Sequence, residues 1–216
     1  MEEEAEKQQL PNGDCVEFYP DDHHYVYKGV VLPSITTLLK KVYGDTYASV
    51  NPEMLQRSAT YGTQVHEELS SLIEMRKKGA DIKGIVGSGV LHQETQNYFN
   101  FVEPIYKVDP LMTEKIVILE NEKGEPVAAG RFDLLAKIDG KIGICDFKTT
   151  SSIHRQLVTA QLNLYLKAAI QTGYLPPDGQ YALAAIHLSG EKSKLIPIPV
   201  LGESFIKKFT ENENKA

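Results

Sequence analysis

Apolar and polar residues change rhythm partway along this chain, and the change divides its predicted elements. The segment 16–31 alternates as a hairpin: Val16-Glu-Phe-Tyr, a turn at Pro20-Asp21-Asp22, then His24-Tyr-Val-Tyr before Lys28-Gly29. Pro33-Ser34 then opens a helix, with Ser34 as N-cap and Ile35, Leu38, Leu39 and Val42 on one side. A longer helix is predicted from about Glu53 to Lys78, carrying Leu55, Ala59, Gly62, Val65, Leu69, Leu72 and Met75. Gly79, Gly84, Gly87 and Gly89 mark a connection, and 90–102 again has helical spacing.

Beyond this point the period shortens. Lys115-Ile-Val-Ile-Leu, 127–138 and 141–147 are three strand candidates, joined through 121–126 and the tight Asp139-Gly140 turn, which predicts an antiparallel meander. A helix over 155–172 follows, with Leu157, Ala160, Leu164 and Ala168 at helical spacing, and strands are expected at 181–188 and 195–200. The expected class is α/β. It would have a central mixed sheet, made of the three-stranded meander plus a further strand, flanked by helices, with an N-terminal hairpin and helices before it. Residues 1–14 read as a flexible acidic tail, 15–209 as a single domain and 210–216 as a second tail.

Composition narrows the function classes. A net charge of −6 over 216 residues argues against a broad basic surface that coats duplex DNA. It leaves room for a local nucleic-acid groove built on a few basic residues such as Arg131, Lys137 and Arg155. Cys15 and Cys145 are too few for a disulfide framework, a four-cysteine zinc site or an iron–sulfur cluster. No apolar run approaches the roughly 20 residues that span a bilayer, and Met1-Glu-Glu-Glu is the reverse of a secretory signal. A cytoplasmic protein without a membrane partner is expected.

The chemistry concentrates at the meander. Asp133 lies in one strand, Asp146 lies near the end of the next, and Lys148 follows two residues later on the same face as Asp146. An aspartate in the apolar run Ile142-Gly-Ile-Cys-Asp146 needs a partner if it is buried. Two acids with a lysine suit a divalent cation held against a phosphate, although an ion pair with Arg131 or Lys148 is the plainer alternative. His66 lies one helical turn after Gly62, so a backbone or substrate can approach its imidazole; taken alone, such a histidine is more often structural. Glu67-Glu68 makes no zinc-protease motif, because no second histidine has the required spacing. Gln161 and Tyr165, four apart, share a helix face. The run Asp21-Asp22-His23-His24 looks metal-like but falls in a turn.

In order, Gly62-x-x-x-His66, Gly130-Arg-x-Asp133, Asp146-x-Lys148 and Gln161-x-x-x-Tyr165 resemble the PD-(D/E)XK nuclease superfamily, and within it the small phage-type or stand-alone RecB-like nucleases. The resemblance covers about residues 55–170. It implies a restriction-endonuclease-like core in which His66, Asp133, Asp146 and the backbone carbonyl of Phe147 ligate Mg²⁺ or Mn²⁺. Lys148 would be the catalytic lysine, and Gln161 and Tyr165 would hold the lysine or the DNA strand, with Arg131 also on the substrate. Glu114 corresponds to the superfamily's first-strand acid, without an assigned catalytic role. The implied activity is metal-dependent hydrolysis of DNA, single- or double-stranded, by an exonuclease of recombination, repair or phage DNA metabolism. The alternatives are a structure-specific or restriction-type endonuclease and an inactive nucleic-acid-binding module. The chain lacks the four cysteines of iron–sulfur relatives and any Gly-x-x-x-x-Gly-Lys loop, so a helicase or recombination partner would supply unwinding.

Overall fold

The computed structural model describes residues 5–20, 23–44, 50–190 and 193–211. Its centre is a five-stranded sheet of order β5-β6-β7-β8-β9: β5 (Val108–Glu120), β6 (Pro126–Ile138), β7 (Lys141–Lys148), β8 (Ala182–His187) and β9 (Lys194–Ile198). The first three strands form the expected antiparallel meander, and β8 pairs parallel to β7. Strand β9 closes the edge antiparallel, so the sheet is mixed and the class is α/β. At the β6–β7 turn both Asp139 (φ 46°) and Gly140 (φ 84°) are left-handed, the conformation of a tight hairpin whose twist matches its strands.

A second sheet of order β1-β2-β3-β4 comprises Glu6–Gln9, Cys15–Tyr19, His24–Tyr27 and Val30–Leu32, all antiparallel. The expected tail over 1–14 is therefore corrected. Glu6–Gln9 is the edge strand β1, docked because the Gln8 amide donates to Ile116 O (3.2 Å) while Gln8 Oε1 accepts from Ile116 N (3.1 Å). At the other end, helix α7 (Glu203–Thr210) buries Ile206 and Phe209, an amphipathic turn that the sequence reading passed over. Residues 212–216 of the second expected tail lie outside the described residues.

Helices cover both faces of the five-stranded sheet. On one face α6 (Arg155–Thr172), with α1 (Ile35–Tyr43) and α7, packs on Val117, Leu119, Ala128, Phe132, Leu135 and Ile144. On the other, α2 (Pro52–Lys77) sets Val65, Leu69 and Ile73 on Leu134, Ala136, Cys145 and Phe147. Tyr98 and Val102 join this second cluster from a helical run made of α4 (Gln93–Asn97), a π-helical turn (Tyr98–Val102) and α5 (Glu103–Tyr106). The short helix α3 (Lys83–Val86) caps a small satellite cluster with Leu72. The four-stranded sheet packs on Ile116, Ile118 and Ala129.

One irregularity positions the site. Along β6, Ala128 and Phe132 face α6, whereas Leu134 and Ala136 face α2 and Leu135 faces α6. The period-2 alternation thus reverses at Asp133. Across the ladder, between the pairs Thr113–Leu134 and Lys115–Phe132, stands Glu114, a non-glycine residue at φ 52°. The reversal falls where the cover changes from the four-stranded sheet to α2, and it turns carboxylates into that seam. Among the described residues, no helix is long and apolar enough to cross a membrane.

The parallel junction that carries β7 depends on Gly143, because a Cβ there would collide with Ala182 O across the ladder. Gly143→Ala is expected to lose about 1–3 kcal/mol of stability, as overpacking does, read from denaturant unfolding. A midpoint unchanged from the natural chain would show that this pairing tolerates a side chain.

Candidate active site

Asp133 and Asp146 lie nearly side by side under the seam, 9% and 2% exposed. Burial of two carboxylates is costly unless charge and hydrogen bonds compensate it. Asp133 Oδ2 accepts the Phe147 N–H at 2.6 Å, and its Oδ1 lies 3.5 Å from His66 Nδ1. Asp146 Oδ2 is 2.6 Å from Lys148 Nζ. That contact is electrostatic rather than well aligned, and the oxygen has no directed hydrogen bond. Lys148 Nζ also donates to Gln161 Oε1 (3.3 Å), and Gln161 Nε2 in turn donates to the Tyr165 hydroxyl (3.4 Å). The i,i+4 pair on α6 thereby orients the lysine head.

His66, Glu114 and Asp133 each offer a ligand atom, and these atoms lie within 4.8 Å of one another. Their ionisation reflects the crowding. Burial, then Asp133, pushes Glu114 up to about 8. Burial also raises Asp146, to about 6, against the pull of Lys148. For His66, burial opposes the charged form, but Asp133 outweighs it and lifts the imidazole to about 9. Asp133 is held below its ordinary value because His66 overcomes the effect of burial. Two carboxylates and an imidazole, with Asp146 beside them, offer oxygen and nitrogen donors of the kind a divalent cation can use.

Two glycines set the spacing around this group. A Cβ on Gly62 would come within 3.2 Å of Thr149 Oγ1, so the residue next to Lys148 is what approaches α2 one turn before His66. At Gly130 a Cβ would lie 2.6 Å from the Tyr165 ring and 3.1 Å from Ile35. The chain enters α1 beside it, where Ala129 N donates to Pro33 O (3.0 Å) and Ser34 caps the helix by accepting from Thr37 N (3.1 Å). A cavity of about 450 Å³ opens over the group, walled by α2, by α1 and by Phe18, His23 and Tyr25 of the four-stranded sheet.

The structure brings together His66, Asp133, Asp146, Lys148, Gln161 and Tyr165, as the sequence reading expected. Phe147 meets Asp133 through its N–H, while its ring packs edge-on against His66 at 5.7 Å. Arg131 lines the cavity, paired with Glu6 (2.6 Å) and set 4.6 Å from the Phe18 ring. Lys137 is exposed six residues further along β6, outside the site, and Arg155 is exposed at the start of α6. The two histidines of the turn part company: His23 reaches the cavity wall and His24 stacks on Tyr19 at 4.6 Å. Asp21 and Asp22 lie outside the described residues. What the sequence reading left without a role is Glu114, whose place opposite Asp133 follows only from strand register.

No protein-family model matches the chain, and no curated protein matches it. Among solved structures, one described as the crystal structure of SSO0001 aligns with 82% of this chain and 83% of its own length, at 16% sequence identity and a TM-score of 0.32. A likeness that remote carries no argument about fold or activity.

Gly130→Ala should force Tyr165 away from Gln161 and Ile35 from its seat, costing about 1–3 kcal/mol in chemical denaturation. Stability equal to that of the natural chain would mean that Tyr165 is not held by this close approach.

Proposed function

We propose that this protein is a metal-dependent deoxyribonuclease of the PD-(D/E)XK superfamily, RecB-like in type, which hydrolyses phosphodiester bonds and works as an exonuclease. The observation that carries the reading is the convergence of His66, Glu114 and Asp133 donors within 4.8 Å, beside an Asp146–Lys148 pair in a buried seam. The meander β5-β6-β7, followed by α6 and a parallel β8, supports a restriction-endonuclease-like core. Exonuclease rather than endonuclease mode rests on the sequence resemblance alone.

The donor set fits a divalent cation. Its oxygen and imidazole ligands suit Mg²⁺ or Mn²⁺, and Asp146 Oδ2 is buried without a directed hydrogen bond. His66, Glu114, Asp133 and Asp146 would hold the ion, with the Phe147 carbonyl as the further ligand that the resemblance implies. Once bound, it would supply Lewis-acid neutralisation of a phosphoryl oxygen. The chain's own residues do the rest. The Lys148 ammonium stands where negative charge grows on the phosphoryl group, and Gln161 fixes its direction by accepting one of its N–H bonds. Tyr165 accepts from the Gln161 amide and so fixes which way that amide points. Phe147 and Tyr98 close the floor against water.

Purified protein with Mg²⁺ or Mn²⁺ should shorten end-labelled linear DNA and spare circles, and EDTA should stop it. Asp146→Asn and Lys148→Ala should each slow cutting by about 100-fold or more, the scale of losing a positioned electrostatic group. Undiminished cutting in both variants would refute this site, and cutting of circles would move the assignment to an endonuclease. DNA bound but never cut under any of these conditions would favour a binding module.

Metal binding can be read without catalysis. Mn²⁺ at 100 times its dissociation constant should stabilise the fold by about 2.7 kcal/mol. Asp133→Asn should remove most of that increment in a thermal-shift titration. An equal increment in the variant would place the ion elsewhere.

A further inference from the structure

One ring on the α2 face of β7 ties together the parts of the proposed centre. Phe147 packs there, while Asp146 and Lys148, one residue to either side, point to the opposite face. The Phe147 N–H donates to Asp133 Oδ2 at 2.6 Å. The seat of this ring therefore sets the roll of the strand end that carries both charged groups. His66 forms one wall of the seat, edge-on to Phe147 with ring centroids 5.7 Å apart. Tyr98 forms another, edge-on at 5.4 Å and 86°. Tyr98 is wholly buried, and Phe99 backs it edge-on at 5.0 Å.

Tyr98 is itself held by the helix that carries His66. Glu68 of α2 accepts from His92 N (3.1 Å), from the His92 ring (2.8 Å) and from the Thr95 hydroxyl (2.6 Å), at the start of the helical run. Further along α2, Arg76 donates to both carboxylate oxygens of Glu103 (2.5 and 2.9 Å), just past the π-helical turn that Tyr98 opens. Such turns are wider than an α-helix and recur at functional sites. The two clamps bracket Tyr98, so His66, Tyr98 and Phe147 belong to one frame. The Tyr98 hydroxyl is buried without a directed hydrogen bond, so the ring rather than the phenol makes the contact. We propose that Tyr98 is a positioning residue of the metal centre: through Phe147 it keeps Asp133, the Asp146–Lys148 pair and the His66 imidazole in one alignment. The inference rests on the metal-dependent reading of that centre. Outer partners that orient metal ligands are worth about 10–100-fold in metal affinity.

The test compares Tyr98→Leu, Tyr98→Phe and Phe209→Leu in the full chain. Phe209 is a buried aromatic of α7 on the far face of the sheet, so its variant controls for lost stability alone. In metal-free, ¹⁵N-labelled protein the Phe147 amide proton should resonate far downfield, as a short hydrogen bond to a carboxylate requires. Tyr98→Leu should move it upfield, while Tyr98→Phe and Phe209→Leu leave it in place. In calorimetry, Tyr98→Leu should bind Mn²⁺ about tenfold more weakly or worse, with Tyr98→Phe and Phe209→Leu within about twofold of the natural chain. Phe147→Leu should weaken binding similarly, and combining it with Tyr98→Leu should add little, because both break the same link. If Tyr98→Leu does not fold, Tyr98→Met, whose flexible chain refills the space, carries the same comparison. An unmoved Phe147 resonance, or losses that add in full, would overturn the positioning role. The two readings fail separately. A Phe147 resonance that depends on Tyr98 in a chain that binds no Mn²⁺ would sink the metal centre alone. Mn²⁺ held through His66 and Asp133 with equal affinity in Tyr98→Leu would sink the positioning role alone.

Discussion

Buried negative charge is the constraint around which this molecule is arranged. Asp133 and Asp146 stand almost fully inside the protein, with Glu114 turned toward the first of them. Carboxylates so crowded do not stay ionised unaided in a low-dielectric seam, and the balance is drawn from different parts of the chain. His66 comes from α2, Lys148 from the end of β7 and the Phe147 N–H from the strand itself. Removing either cation would leave an uncompensated charge behind, so the group stands or falls as a unit. On the proposed reading, the same excess of acid over base is what a divalent cation would offset.

The backbone is distorted to make that arrangement. Glu114 occupies a left-handed conformation that costs a non-glycine residue on the order of 1 kcal/mol, and opposite it β6 exchanges the faces of its side chains. Two covers meet over this reversal, the four-stranded sheet on one side and α2 on the other. A continuous cover would bury the group without access; at the seam His66 and Glu114 line the cavity above. Underneath, α6 runs unbroken across the opposite face and delivers Gln161 and Tyr165 to the lysine from below. Rigid elements thus carry every member of the group.

Much of this was legible in the residues. The β6–β7 hairpin followed from Asp139-Gly140, the helix over 155–172 from its leucine spacing, and the α1 start from Pro33-Ser34. The six polar positions of the motif set converge because each sits on the element that its local pattern predicts. Glu114 was not legible as a member. Its role depends on register with β6 and on a positive φ, and neither leaves a mark in the run Thr113-Glu114-Lys115. Strand β1 was hidden for a related reason. An acidic, polar segment reads as solvated, whereas pairing with β2 and the contacts of Gln8 with Ile116 and of Glu6 with Arg131, each more than 100 positions away, tie it down.

The most direct measurement of the central claim is anomalous scattering from a crystal of the protein grown or soaked with Mn²⁺. The account predicts an ion in the seam, with His66, Asp133 and at least one of Glu114 and Asp146 at about 2.0–2.5 Å. An ion bound only at surface carboxylates, with His66 still directed at Asp133 in millimolar Mn²⁺, would contradict it and reduce the buried acids to a structural ion-pair network.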